Sequence, residues 1–245
     1  DERIARPTLI GRPTIIAQRI EKFGLRMKEG ADYDVVNVEH DERYRDFWQS
    51  YHRMTERKGI TAPIAKIEMR RRLTLIGSML LHKGEVDGLI CGTWSSTSYH
   101  LQYIDPVIGR RPGVKTYACM NGLVLPGRQV FLVDTHVNYD PSAEQLCEIT
   151  LLAVEEMRRF GIVPKVALLS HSNFGSSNQP SAVKMRETLA LLRERAPDLQ
   201  VDGEMHGDAA LDPAYRAELM PRSTLVGEAN LLVLPNIDAA NISYN

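Results

Sequence analysis

The run VALLSHSNFGSSNQP, Val166 to Pro180, reads as a strand, a polar turn and the first residue of a helix. Val166–Ser170 is short, apolar and closed by turn residues, the pattern of a strand covered on both faces. Pro180 suits the first turn of a helix, where its missing N–H has no partner to lose, and Pro197 stops the helical stretch after Ala196. Working outward, Val130–Asp134 (VFLVD) and Leu231–Pro235 (LLVLP) repeat the strand pattern. Between the first two strands, Leu146, Ile149, Ala153 and Met157 recur at helical spacing, with Glu148, Glu155 and Arg159 on the other side. Asp140-Pro141 is expected to start that helix and Gly161 to end it. The alternation predicts an α/β fold with a mainly parallel sheet and helices on its faces, and ligands beyond the carboxyl ends of the strands.

The first half is less regular. Val35–Val38 and Val86–Ile90 read as strands, with one long helix from about Ala65 to His82 between them. Gly122, Pro126 and Gly127 place a soft boundary near Asn121–Arg128. The expectation is two lobes, 1–122 and 123–245, flanking a cleft. Ile67, Leu73, Leu75, Ile76, Met79, Leu80 and Leu81 give the long helix apolar surface around its whole circumference. That points either to a contact between copies of the chain or to a helix buried inside it.

Composition excludes several classes. The 245 residues are 43% hydrophobic and 25% charged, the balance of a soluble globular protein. Thirty Lys plus Arg against 31 Asp plus Glu leave a net charge of −1, so no global field gathers nucleic acid or an anionic membrane. An anionic ligand has to be held locally. The consecutive Arg70, Arg71 and Arg72 fan apart by roughly 100° each on a helix and read as a mainly solvated face. Cys91, Cys119 and Cys147 lie far apart without zinc or redox spacing, which suits a reducing compartment. No apolar run approaches the roughly 20 residues that span a bilayer, and Asp1-Glu2-Arg3 is the opposite of a secretory signal, so the reading is cytoplasmic. A start without Met and a stop at Asn245 inside structured-looking sequence read as a piece of a longer protein.

Chemistry is expected in the polar loops. Ser170 to Asn178 combines hydroxyls, amides and a Gly before a helix N-terminus, which suits a phosphate or carbonyl oxygen; a plain polar turn is the alternative. Gly92 to Ser98 is a second such loop. Asp202-Gly203-Glu204-Met205-His206-Gly207-Asp208 suggests either an oxygen-ligand metal site or, as the preferred reading, capping of the next helix. His136, His171 and His206 each follow a strand; convergence on a metal is set against separate structural roles, and no metal is expected. No Gly-x-Ser-x-Gly elbow, Walker ending or dinucleotide fingerprint is present.

PKVALLSHSNFGSS (Pro164–Ser177), DGEMHGDAAL (Asp202–Leu211) and ANLLVLPNIDAANISYN (Ala229–Asn245) resemble the phosphate acetyl/butyryltransferase family. More narrowly, they resemble its branch fused behind the catalytic domains of bacterial NADP-dependent malic enzymes. RPTLIGRP (Arg6–Pro13) and HKGEVDGLICGT (His82–Thr93) extend the likeness over nearly the whole chain. The resemblance implies a two-lobed fold like that of isocitrate and isopropylmalate dehydrogenases, with acyl-CoA in the cleft. It assigns Ser170, Ser172, Asn173, Gly175 and Ser176 to a loop facing thioester and phosphate, and Thr93, Ser95 and Ser96 to an opposing loop. Asn230, Pro235 and Asn241 frame the cleft floor.

The departures bear on activity. Transacetylases resemble Ser-Thr-Lys/Met-Gly-Ser where this chain has Ser172-Asn173-Phe174-Gly175-Ser176, so an aromatic replaces a slimmer or cationic residue. The family's arginine after the first loop corresponds here to His100 or Gln102, which cannot clamp phosphate with two fixed donors. Its Ser-Arg pair and catalytic Asp would lie beyond Asn245. The resemblance therefore implies a non-catalytic, acetyl-CoA-binding regulatory domain in a homo-oligomer, with NADP and Mg or Mn bound by the malic enzyme's other domains. The alternative is an active phosphate acetyltransferase.

Overall fold

The computed structural model describes residues 4–245, which form two compact units dividing between Arg110 and Arg111. The first contains β1 (Thr8–Gly11), α1 (Pro13–Lys22), β2 (Asp34–Asn37), α2 (Tyr44–Thr55), α3 (Ala62–Arg71), α4 (Leu73–His82) and α5 (Thr97–Ile104). The second contains β3 (Met120–Leu125), β4 (Arg128–Val133), α6 (Ala143–Arg159), β5 (Lys165–Leu169), α7 (Pro180–Arg195) and β6 (Gln200–Met205). It continues with α8 (Gly207–Leu211), α9 (Pro213–Leu219), β7 (Leu231–Val233) and α10 (Ile237–Tyr244).

The second unit is the layered α/β fold expected. Its five strands run in the order β3-β4-β7-β5-β6, and only β3 is antiparallel to its neighbour. Because side chains alternate along a strand, Phe131, Val133, Val166, Leu168, Leu231 and Val233 pack on the face that holds α6 and α7. Val130, Leu132, Ala167, Leu169 and Leu232 pack on the other, with Ala209, Ala210 and Ala240. The predicted stripe of α6 is inside: Leu146, Ile149 and Met157 have no exposed surface, each worth about 1.5–3 kcal/mol of burial.

α6 starts later than Asp140-Pro141. Ser142 is its N-cap, accepting from Gln145 N, while Gln145 Oε1 accepts from Ser142 N at 2.9 Å. The reciprocal pair satisfies two free amides where the aspartate would have satisfied one. The turn at Pro126-Gly127 is likewise no lobe boundary. It closes the β3–β4 hairpin, whose register pairs Leu125 with Arg128, so Met120 to Gly122 belong to the second unit's sheet.

β6 carries an irregularity that matters for the site. Leu168 pairs with Gly203 but Leu169 pairs with Met205, leaving Glu204 as the extra residue of a bulge. Val201 therefore faces the α6/α7 layer and Met205 the opposite one. Only glycine fits at 203, where φ is +144° and a Cβ would lie 2.6 Å from the Leu168 carbonyl oxygen.

In the first unit, β1 and β2 form a two-stranded parallel sheet, with Val36 in a core shared with Phe47, Tyr51, Ala65, Met69, Leu75 and Met79. The long helix expected over Ala65–His82 is two helices, α3 and α4, parted at Arg72, whose backbone is extended at φ −110° and ψ 94°. Arg72 is half-buried rather than solvated. Its Nη1 donates to Tyr99 Oη at 3.2 Å, and its guanidinium lies 5.7 and 5.8 Å from the Tyr99 and Tyr103 rings. The apolar circumference of α4 is explained by burial within the unit, since every residue from Thr74 to Leu80 is buried. Val86–Ile90 is not a strand: it has no ladder partner among the described residues, and Ile90 is 99% exposed.

No helix among the described residues is long and apolar enough to cross a membrane.

Candidate functional site

The carboxyl ends of β4, β5, β6 and β7 bring several loops to one edge of the sheet, the position where open α/β sheets bind ligands. The Ser170–Asn178 loop is organised there by Glu204, a side chain with no exposed surface. Glu204 Oε1 accepts from Ser172 Oγ at 2.7 Å, Gly175 N at 2.8 Å and Arg186 Nη1 at 2.8 Å. Arg186 also donates to the Ser177 carbonyl at 2.9 Å and to Asn178 Oδ1 at 3.0 Å, so one ion pair spans the loop. Ser172 Oγ lies 3.1 Å from Ser176 Oγ and accepts from Ser177 N at 3.0 Å.

A second pair of contacts ties the loop to the end of β6. The Asn173 amide accepts from His206 N at 2.7 Å, and its nitrogen lies 3.1 Å from His206 Nδ1. Between these anchors the chain turns through Phe174 at φ 49° and Gly175 at φ 92°. A left-handed aromatic residue costs on the order of 1–2 kcal/mol. It is held by Phe174 N donating to the Glu204 carbonyl at 2.7 Å and by its ring packing on the core face that includes Leu169 and Met205. Phe174, the aromatic that replaces a slimmer or cationic residue of the motif, is therefore half-buried core surface.

The predicted loop residues thus come together, but in two roles. Gly175 and Ser176 are exposed, Ser170 and Asn173 are half-buried, and Ser172 is wholly inside. Ser172 shapes the loop rather than facing outward. Pro235 and Asn241 belong to the same edge: the Pro235 carbonyl accepts from Lys184 Nζ at 2.7 Å, and Asn241 Nδ2 donates to the Thr135 carbonyl at 3.3 Å. Beside them, the buried Asp134 carboxylate gathers the backbone amides of Cys119, His136, Val137 and Asn138, fixing the loop after β4. Asn230 does not belong to this edge. Its Oδ1 accepts from Lys165 N at 2.7 Å and its Nδ2 donates to the Val163 carbonyl at 2.9 Å, at the amino ends of β5 and β7.

In the first unit, Thr93, Ser95 and Ser96 are exposed on the turn before α5, with Ser95 at φ 72°. Ser96 is the N-cap of α5, accepting from Tyr99 N at 3.3 Å. His100 offers no replacement for the family's arginine. It is buried, with Nε2 2.7 Å from the Trp94 carbonyl and Nδ1 2.8 Å from Thr74 Oγ1. The carbonyl only accepts, so Nε2 carries a proton toward it. Gln102 is exposed.

The acidic segment neither gathers a metal nor caps the next helix as a group. Asp202 accepts from Ser223 Oγ at 2.7 Å and Thr224 N at 2.9 Å, Glu204 serves the loop, and Asp208 alone stands in the first turn of α8. The three histidines are separately engaged, His136 edge-on to Tyr244, His171 with Ser177 and His206 with Asn173. Among the described residues no group of three or more His, Cys, Asp or Glu is placed to hold a metal ion. Burial raises the Cys119 and Cys147 thiols above their ordinary pKa, opposing the thiolate a nucleophile needs.

Nothing in the sequence singled out Arg186, and Glu204 stood out there only as one carboxylate of the acidic segment, for a metal or a helix cap. The available signal was a glutamate between Val201 and Met205, apolar residues that a simple two-residue alternation cannot place on opposite faces.

Comparison with known proteins agrees with this architecture. The chain is 53% identical over 242 residues to the NADP-dependent malic enzyme of Salmonella typhimurium, a match covering 99% of this chain and 32% of that protein. It thus spans about a third of the length of that malic enzyme. It is 37% identical over 250 residues to a phosphate acetyltransferase of Paracoccus denitrificans, covering 98% of this chain and 73% of the relative. Among solved structures, the EutD phosphotransacetylase from Staphylococcus aureus superposes with a TM-score of 0.81 at 27% identity, covering 98% of this chain and 72% of that one. The family profile described as Phosphate acetyl/butaryl transferase matches residues 1–245, and the chain belongs to that family.

Proposed function

We propose that this chain is the acyl-CoA-binding, regulatory part of an NADP-dependent malic enzyme, with acetyl-CoA as its effector. The observation that carries the reading is the state of Arg186. The cation beside the Ser170–Asn178 loop is already bound to Glu204, to the Ser177 carbonyl and to Asn178. The loop therefore offers a ligand mainly neutral donors, which suit a thioester and pantetheine amides, in place of the charge-assisted clamp that phosphoryl chemistry requires. His100, turned inward, supplies no such clamp either. The likeness to a malic enzyme, at 53% against 37% for a phosphate acetyltransferase, supports the same choice.

On this reading malate oxidation, NADP and the divalent metal belong to the malic enzyme's own domains, and the assembly is a cytoplasmic homo-oligomer. Acetyl-CoA regulates by preferring one conformation, and a ten-fold bias requires about 1.4 kcal/mol of differential binding. The second reading, an active phosphate acetyltransferase, draws on the 37% relative, 73% of whose length the chain matches.

Titrating acetyl-CoA into malate oxidation by the intact malic enzyme, with arsenolysis of acetyl-CoA measured in parallel, separates the two. Regulation predicts changed malate turnover without appreciable arsenolysis. Rapid arsenolysis with malate turnover indifferent to acetyl-CoA would reverse the assignment.

A further inference from the structure

We propose that Glu204 is the positioning residue of the Ser170–Asn178 loop, so that affinity for an acyl-CoA depends on a carboxylate the ligand does not touch. The inference rests on the acetyl-CoA reading of this edge of the sheet.

Three observations carry it. Glu204 is the extra residue of the β6 bulge, between the pairs Leu168–Gly203 and Leu169–Met205. Bulges re-aim side chains, and this one turns a carboxylate off the ladder toward the loop after the neighbouring strand. Second, its hold on the loop runs through Oε1, which takes a hydroxyl, a backbone amide and a guanidinium. Oε2 is buried with no hydrogen-bond partner. The charge is therefore balanced chiefly by Arg186, and a buried carboxylate is most sensitive to loss of such a partner. Third, the loop contains a left-handed non-glycine residue, Phe174, which persists only where its surroundings over-determine it. Gly175 N and the Glu204 carbonyl contact with Phe174 N supply that constraint from one residue of β6.

Glu204→Gln keeps an acceptor at Oε1 but removes the charge, and Ser172→Ala removes one tie while leaving the carboxylate. Both are compared with the unaltered chain by amide hydrogen exchange and by acetyl-CoA titration. The expected result for Glu204→Gln is at least ten-fold faster exchange at Gly175 and Ser177, with exchange in β4, β5 and β7 unchanged. Its Kd for acetyl-CoA is expected to rise roughly ten-fold, equivalent to about 1.4 kcal/mol. Ser172→Ala is expected to give about a three-fold rise, and it decides the matter if the first variant does not fold. Unchanged loop exchange, unchanged Kd in a loosened loop, or faster exchange spread equally through the sheet would each overturn the proposal. An unaltered chain that takes up no acetyl-CoA overturns the acyl-CoA reading itself, and loop exchange in the variants then decides the positioning separately.

Discussion

Asn173 and His206 hold each other at two points: His206 N donates to Asn173 Oδ1 at 2.7 Å, and Asn173 Nδ2 lies 3.1 Å from His206 Nδ1. The backbone donor fixes which end of the amide is oxygen, so Nδ2 donates to the ring and the neutral imidazole carries its proton on Nε2. The loop after β5 is thereby tied to the end of β6 independently of Glu204.

Asn173→Ala removes both contacts, each worth about 0.5–1.5 kcal/mol net. Acetyl-CoA affinity is expected to fall several-fold while thermal unfolding stays cooperative. Calorimetry with a parallel melt checks both.

Gly203→Ala tests the bulge. The added Cβ would meet the Leu168 carbonyl oxygen at 2.6 Å and the Leu168 Cβ at 2.9 Å, at a φ of +144°. Either β5 and β6 separate or the backbone rotates. A loss of about 2 kcal/mol or more is expected, a fall in Tm of roughly 6 °C. An unchanged melting temperature would mean that the bulge relaxes freely.

Leu75 and Ile67 separate the two explanations of the apolar helices. Leu75 has no exposed surface, and Leu75→Ala is expected to cost about 2–5 kcal/mol in urea unfolding. Ile67 is 54% exposed, and Ile67→Ser is expected to change stability by less than about 0.5 kcal/mol. If α3 contacts a second copy, Ile67→Ser instead shifts the oligomer toward monomer in light scattering.

Glu155 is held at a pKa of about 2, first by its hydrogen bonds with Arg111, which outweigh the opposing effect of desolvation, with the charges of Arg111 and Arg159 assisting. The folded pKa lies below the unfolded value of about 4.3. The carboxylate therefore favours the folded state fully above that value, and the contribution drains away as pH falls toward 2. A carboxyl-carbon NMR titration should show the low midpoint, and Arg111→Gln should raise it.

The second unit was legible where its strands are buried on both faces, so the apolar cores of Val166–Ser170, Val130–Asp134 and Leu231–Pro235 stand out, whereas the half-exposed β3 does not. The first unit was harder to read. Arg72 parts two helices without a Gly or Pro, through an extended backbone that its tertiary contacts with Tyr99 and Tyr103 accompany. Val86–Ile90 has strand composition but no ladder partner among the described residues. At the site, the composition of the Ser170–Asn178 loop was visible, whereas the inward turn of Ser172 was not, because it depends on Glu204, 32 residues later in the chain. Asn230 carries the family motif yet bonds at the far edge of the sheet, a placement that depends on the start of β7 rather than on residue type.

One calorimetric titration of acetyl-CoA into the chain, in phosphate buffer, distinguishes a ligand that is bound from one that is consumed. A regulatory domain gives discrete heats that saturate at one site and return to baseline after each injection. Sustained heat flow after each injection, with acetyl phosphate accumulating, or no binding heat at any concentration up to millimolar, would contradict the regulatory reading.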